Sequence, residues 1–127
     1  YQVFKEDISW SEAQQKCEAL GGHLVVINDE DELNEVISMA EQNGISRVWI
    51  GLRRQNGQES WVNGQDGFVK WAKGEPSYVD VNDQVSEDYV MLWNNNGWAY
   101  NDNRDDPCKD YPAFYSGTMG YICEFGD

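Results

Sequence analysis

Between residues 75 and 110 the chain carries nine acidic side chains, Glu75, Asp80, Asp83, Glu87, Asp88, Asp102, Asp105, Asp106 and Asp110, against Arg104 and Lys109. Like charges crowded into one stretch repel unless they stay in water or a cation neutralises them. Calcium suits this chemistry: it is a hard cation taking about six to eight oxygen ligands from carboxylates, amide oxygens, carbonyls and water. A solvated acidic surface is the plain alternative, and charge alone does not separate the two. An EF-hand does not fit. Asn101, Asn103 and Asp105 have the alternate spacing, but Asp106 stands where the loop needs Gly and Pro112 where it needs the bidentate Glu. Glu75 and Glu87 could be cast as the acid and base of a two-carboxylate glycosidase. His23 is the single histidine, so neither Ser/His/Asp nor Cys/His catalysis gains support. Cys17, Cys108 and Cys123 form no CxxC pair, which argues against structural zinc.

These side chains must be held by a domain of 127 residues, enough for one compact unit over 1–127 and too short for two. Nine basic against 23 acidic residues leave a net charge of −14. A nucleic-acid partner requires a basic face, and an anionic membrane surface attracts basic segments, so both are disfavoured. No apolar run approaches the roughly 18 residues of a membrane span, so insertion by this domain is not expected. No charged-then-apolar leader precedes the strand-like start at Tyr1, and the chain reads as a mature or excised domain. Six Trp and 40% hydrophobic residues supply a real core despite the charge. Three cysteines allow one disulfide and one remaining thiol, and composition does not choose among the pairings.

The positioning elements are partly legible. Trp10, Ala13, Cys17 and Leu20 line one helix face, opened by a Ser9/Glu12 capping box and closed at Gly21-Gly22. A second helix starts at Asp29 with Glu32, and its stripe of Leu33, Val36, Ile37 and Ala40 runs to Asn43-Gly44. Residues 48–52, 89–93 and 121–125 read as strands. Residues 53–88 and 94–119 are far longer than the usual connection of roughly four to six residues. Trp61, Trp71 and Trp98 within them argue for order, while Trp49, Trp71 and Trp93 read as core. Trp98 and Tyr100 could pack beneath the loops or offer a ring face to a ligand, and Tyr78 could do the latter.

Several landmarks occur together and in order. They are the Cys-bearing first helix with Ala19-Leu20-Gly21-Gly22-His23-Leu24, then Trp49-Ile50-Gly51-Leu52, then Glu75-Pro76-Ser77. Glu87 before a strand, Asn101-Asp102 and the closing Tyr121-Ile122-Cys123-Glu124-Phe125 complete the series. From Tyr1 to Phe125 the chain resembles a C-type lectin domain. The resemblance implies an α+β fold, two helices beside small antiparallel sheets, with a long loop region that carries calcium.

Residue by residue, the resemblance implies a calcium site of Glu75 and Ser77 flanking a cis Pro76, with Glu87, Asn101 and Asp102. Two sugar hydroxyls would complete the ion's shell and bond to Glu75, Ser77, Glu87 and Asn101. It also implies a Cys17–Cys123 disulfide and hence an oxidising, extracellular setting, secreted or at the cell surface. Ser77 departs from the pattern, which usually has Asn or Asp there, and the Ser77–Glu87 loop is long enough that Asp80 or Asp83 could serve as a ligand. Arg54 stands where a second calcium would need an acid, and Tyr89 replaces one cysteine of the inner disulfide, leaving Cys108 unpaired. The implied function is calcium-dependent carbohydrate binding without enzymatic activity, in a multimer or a larger protein. The alternative is a lectin-like domain for a protein or surface ligand, with calcium structural or absent.

Overall fold

The computed structural model describes residues 1–81 and 83–126. Two helices form where the spacing predicts them. Helix α1 covers Trp10–Ala19 and helix α2 covers Glu30–Gln42. Their caps are those read from the sequence: Ser9 accepts from the Glu12 N–H at 3.1 Å and Asp29 from the Glu32 N–H at 2.8 Å. Each satisfies a donor that the first helical turn leaves without a backbone partner.

Seven strands complete the order: β1 (Gln2–Lys5), β2 (His23–Leu24), β3 (Arg47–Gln55), β4 (Gln58–Trp61), β5 (Tyr89–Asn94), β6 (Trp98–Asn103) and β7 (Met119–Glu124). They join one sheet in the order β1-β7-β3-β5-β6, with β2 on β7 and β4 on β3. The pairing of β3 with β7 is parallel and the others are antiparallel. The fold is α+β as expected, but the sheet is mixed and continuous rather than a set of small antiparallel ones. Two single-turn helices, α3 (Pro107–Asp110) and α4 (Pro112–Tyr115), lie between β6 and β7, each with Pro in its first turn.

Strand alternation divides the core into two layers. Val48, Ile50, Val90, Leu92 and Ile122 join Leu33, Val36 and Ala40 of α2. Trp49, Met91, Met119, Tyr121 and Cys123 join Trp10, Ala13 and Cys17 of α1. Cys17 and Cys123 are disulfide-bonded across that second layer, 106 residues apart in sequence. Tyr89 packs its ring 4.9 Å from that of Trp10. Cys108 is a free, half-buried thiol at the edge of the same layer. Among the described residues no helix is long and apolar enough to cross a membrane.

The long loop segment 62–88 is tied to β6 rather than loose. Tyr100, fully buried, donates its hydroxyl to the Phe68 carbonyl at 2.7 Å and meets Trp61 and Trp71 edge-on. Its backbone N–H donates to Lys70 and its carbonyl accepts from Ala72. Tyr100 therefore packs beneath the loops and presents no face for a sugar. Trp98 is half-buried and donates to Glu41 at 3.1 Å.

Candidate functional site

Strand register and a short hairpin assemble the acidic residues. In the β5–β6 pairing, Val90 faces Asp102 and Met91 faces Asn101. The Glu75–Pro76 peptide is cis, as the resemblance implies. Beyond it the chain doubles back: Asp80 N–H donates to Val85, and Glu87 N–H to Tyr78 at 2.8 Å. This return places Glu87, ten residues on, beside Ser77.

Glu75, Ser77, Glu87 and Asp102 meet. The Ser77 hydroxyl lies 2.5 Å from Glu87 Oε1 and 3.1 Å from Asp102 Oδ1. The Ser77 N–H donates to Glu75 at 3.1 Å and to Asp102 Oδ1 at 3.0 Å, and the Tyr78 N–H to Asp102 Oδ2 at 2.9 Å. Asn101 borders the same cavity, of about 260 Å³, without a hydrogen bond to these four. The carboxyl groups sense one another. Burial, a hydrogen bond with Asp102 and repulsion from Asp102 and Glu87 raise Glu75 to about 7. Burial, then repulsion by Asp102 and Asp80, raises Glu87, with Ser77 and Arg104 opposing. Burial also works against the charge of Asp102, but the hydrogen bonds from Glu75, Ser77 and Tyr78 outweigh it and hold Asp102 below the usual range.

Three carboxyl groups, a hydroxyl and a nearby amide form a hard-oxygen donor set, the chemistry calcium takes. A proton shared between Glu75 and Asp102 relieves the repulsion that a divalent ion would otherwise relieve. The fit has one tension. Asp102 accepts from the Ser77 N–H, the Tyr78 N–H and Arg54 at 3.4 Å and shares a hydrogen bond with Glu75, which together match its lone-pair capacity of about four, while the Ser77 hydroxyl proton points to the nearer Glu87. Ligation by Asp102 therefore requires the proton it shares with Glu75 to leave. Accordingly, among the described residues no three of His, Cys, Asp and Glu stand in ready ligand geometry.

Arginines organise the surroundings, and their type and number are visible in the sequence while their roles are not. The Arg54 side chain is 9% exposed, pairs with Glu59 at 2.9 Å and Asp102 at 3.4 Å, donates to the Glu87 carbonyl and lies over the Tyr78 ring. Arg53 lies over Trp10. Arg104, buried, holds Asp80 at 3.0 Å, Asp83 at 2.8 Å and Asp110 at 2.9 Å. Asp80 and Asp83, suggested as substitute ligands, are thus clamped to Arg104, and Tyr111 also donates to Asp83. Trp93, read as core, is half-buried and lines the cavity.

A family model described as Lectin C-type domain matches residues 6–125. C-type lectin domain family 10 member A of Mus musculus is 40% identical over 130 aligned positions, covering 98% of this chain and 37% of that protein. The C-type lectin domain of murine dendritic cell inhibitory receptor 2, solved in complex with N-glycan, aligns at TM-score 0.65 and 28% identity over 81% of this chain and 80% of that one. Human lithostathine shares the fold at TM-score 0.76, with 24% identity over all of this chain and 86% of that one. The chain spans half or less of the length of several curated relatives.

Proposed function

The chain belongs to the C-type lectin domain family, and from that premise we propose that it is a calcium-dependent carbohydrate-binding module of a secreted or cell-surface protein. The observation that carries this reading is the convergence of Glu75, Ser77, Glu87 and Asp102 on one cavity bordered by Asn101. Those five residues would hold the ion. When bound, calcium supplies positive charge and open coordination positions for hydroxyl oxygens. Around it the chain's own groups recognise the ligand. Carboxylate oxygens of Glu75 and Glu87 accept from saccharide hydroxyls, and the Asn101 amide donates to a hydroxyl oxygen. Arg54 and the Tyr78 N–H hold Asp102 in place while the Arg104 clamp fixes the far side of the loop.

The reading assigns binding, not catalysis, to the two glutamates. A shallow single site gains useful avidity from repetition, so a multimeric or multidomain parent fits this role. A second reading, a protein or surface ligand bound without calcium, is favoured by the occupied lone pairs of Asp102. A glycan array read with calcium and with chelator decides between them. Saccharide spots lost with chelator support the first reading. An array blank in both conditions, with no calcium effect on melting, favours the second.

A further inference from the structure

The cavity has a second end that the hydroxyl site does not use. Arg47, at the start of β3, lines it with Trp93, Tyr115, Met91 and Asn103. Its guanidinium lies 4.9 Å from the Trp93 ring centre, 4.5 Å from Phe114 and 4.7 Å from Tyr115. One nitrogen donates to the Thr118 hydroxyl at 2.7 Å, and the buried Nε finds no acceptor among the described residues.

This arginine lacks what Arg54 and Arg104 have. Arg54 and Arg104 are each matched by carboxylates. Arg47 is 6% exposed and has no carboxylate within ion-pair distance among the described residues, in a chain with 23 acidic side chains. Removing an unpaired cation from water is costly, and stacking on aromatic rings offsets only part of the cost. A planar guanidinium with spare donors is the group proteins use to bind oxyanions in a forked geometry. The acids bordering the cavity do not supply that oxyanion. Asp80 is held by Arg104, Glu87 by the Ser77 hydroxyl, and Glu75 and Asp102 by the Ser77 N–H.

We propose that this end of the cavity is a subsite for an acidic substituent, a carboxylate or a sulfate ester, on the bound saccharide, with Arg47 as the residue that recognises it. The proposal rests on the saccharide reading of the neighbouring hydroxyl site. It makes this domain selective for acidic over neutral glycans, with the hydroxyls at the Glu75–Glu87 end and the anion at Arg47.

Calorimetric titration of the chain with methyl glycosides of mannose and galactose, their O-sulfated forms and the matching uronic acids tests it. For at least one sugar, an acidic form binds at least about tenfold tighter than its neutral parent, as a charge-assisted pair in a secluded site should. Comparing the sulfated and uronic arms tells the two oxyanions apart. Arg47→Gln brings that ratio to about one, and Arg47→Lys, which keeps the charge without the planar fork, retains only part of it. If Arg47→Gln does not fold, the wild-type comparison still decides. Neutral sugars binding as tightly as all their acidic forms overturn the subsite and leave the saccharide reading standing. An acidic preference that survives in Arg47→Gln also overturns the assignment. Failure of every sugar to bind removes both. Acidic sugars binding equally with chelator present support the subsite and remove the calcium reading.

Discussion

Glu75 makes stability depend on pH in a direction opposite to that of most surface carboxylates. Its folded-state value is raised from 4.5 to about 7, chiefly by burial and by Asp102. The folded chain therefore holds an extra proton between those values. The resulting stabilisation is complete below pH 4.5 and is lost as the pH rises through about 7. At about 1.4 kcal/mol per pH unit the difference corresponds to about 3 kcal/mol. Water reaches Glu75 from the cavity side, and screening by that water brings the effect to about 1.5 kcal/mol. For a domain of this size that is about 5 °C in melting temperature. The perturbation is Glu75→Gln, which keeps the shape and removes the titration. Thermal melts in chelator, from about pH 5 to about pH 8, should show wild type losing about 5 °C more than the variant across the range. Calcium must displace the shared proton, so added calcium should raise the wild-type melting temperature more at about pH 8 than at about pH 5.5. Parallel pH profiles for the two proteins, or a calcium effect that grows as the pH falls, would refute the reasoning.

Arg54→Leu should cost about 2–3 kcal/mol in chemical denaturation, because it strips a partner from the buried Asp102 while the Ser77 and Tyr78 N–H groups remain. An unchanged midpoint would show that the pair contributes nothing. Arg104→Met should release the clamp on Asp80 and Asp83, so amide hydrogen exchange should accelerate across residues 79–85 and stay unchanged in α2. Replacing Cys17 and Cys123 together by Ala should destabilise the domain by up to about 4–5 kcal/mol, since the bond closes a loop of about a hundred residues. Retention of the calcium effect in that variant would separate fold stability from site integrity.

The parts of the fold that depend on local periodicity were readable in advance. Both helices, their Ser9 and Asp29 caps and the central strands follow from spacing and side-chain type. Strands β4 and β6 were not, because Gln58–Trp61 and Trp98–Asn103 are short, polar segments that become strands only by pairing with β3 and β5. The parallel β3–β7 contact joins residues about seventy positions apart, which no local pattern encodes. In the site, charge alone left both a solvated surface and a cation open. The meeting of Ser77, Glu87 and Asp102 was legible only through the family resemblance. The roles of Arg47, Arg54 and Arg104 were not legible at all. Each depends on which acids or rings the fold brings to the guanidinium, a tertiary fact. The signal available was the placement of Arg47 and Arg54 within or beside the apolar β3 run, where a charged side chain needs a partner.

Calcium stoichiometry by isothermal titration, at about pH 8 where Glu75 is ionised, tests the central claim most directly. The account predicts one ion per chain for the wild type and none for Asp102→Ala, whose fold is verified by its circular dichroism. Absence of calcium binding by the wild type, or the same ion bound equally by the variant, would contradict it.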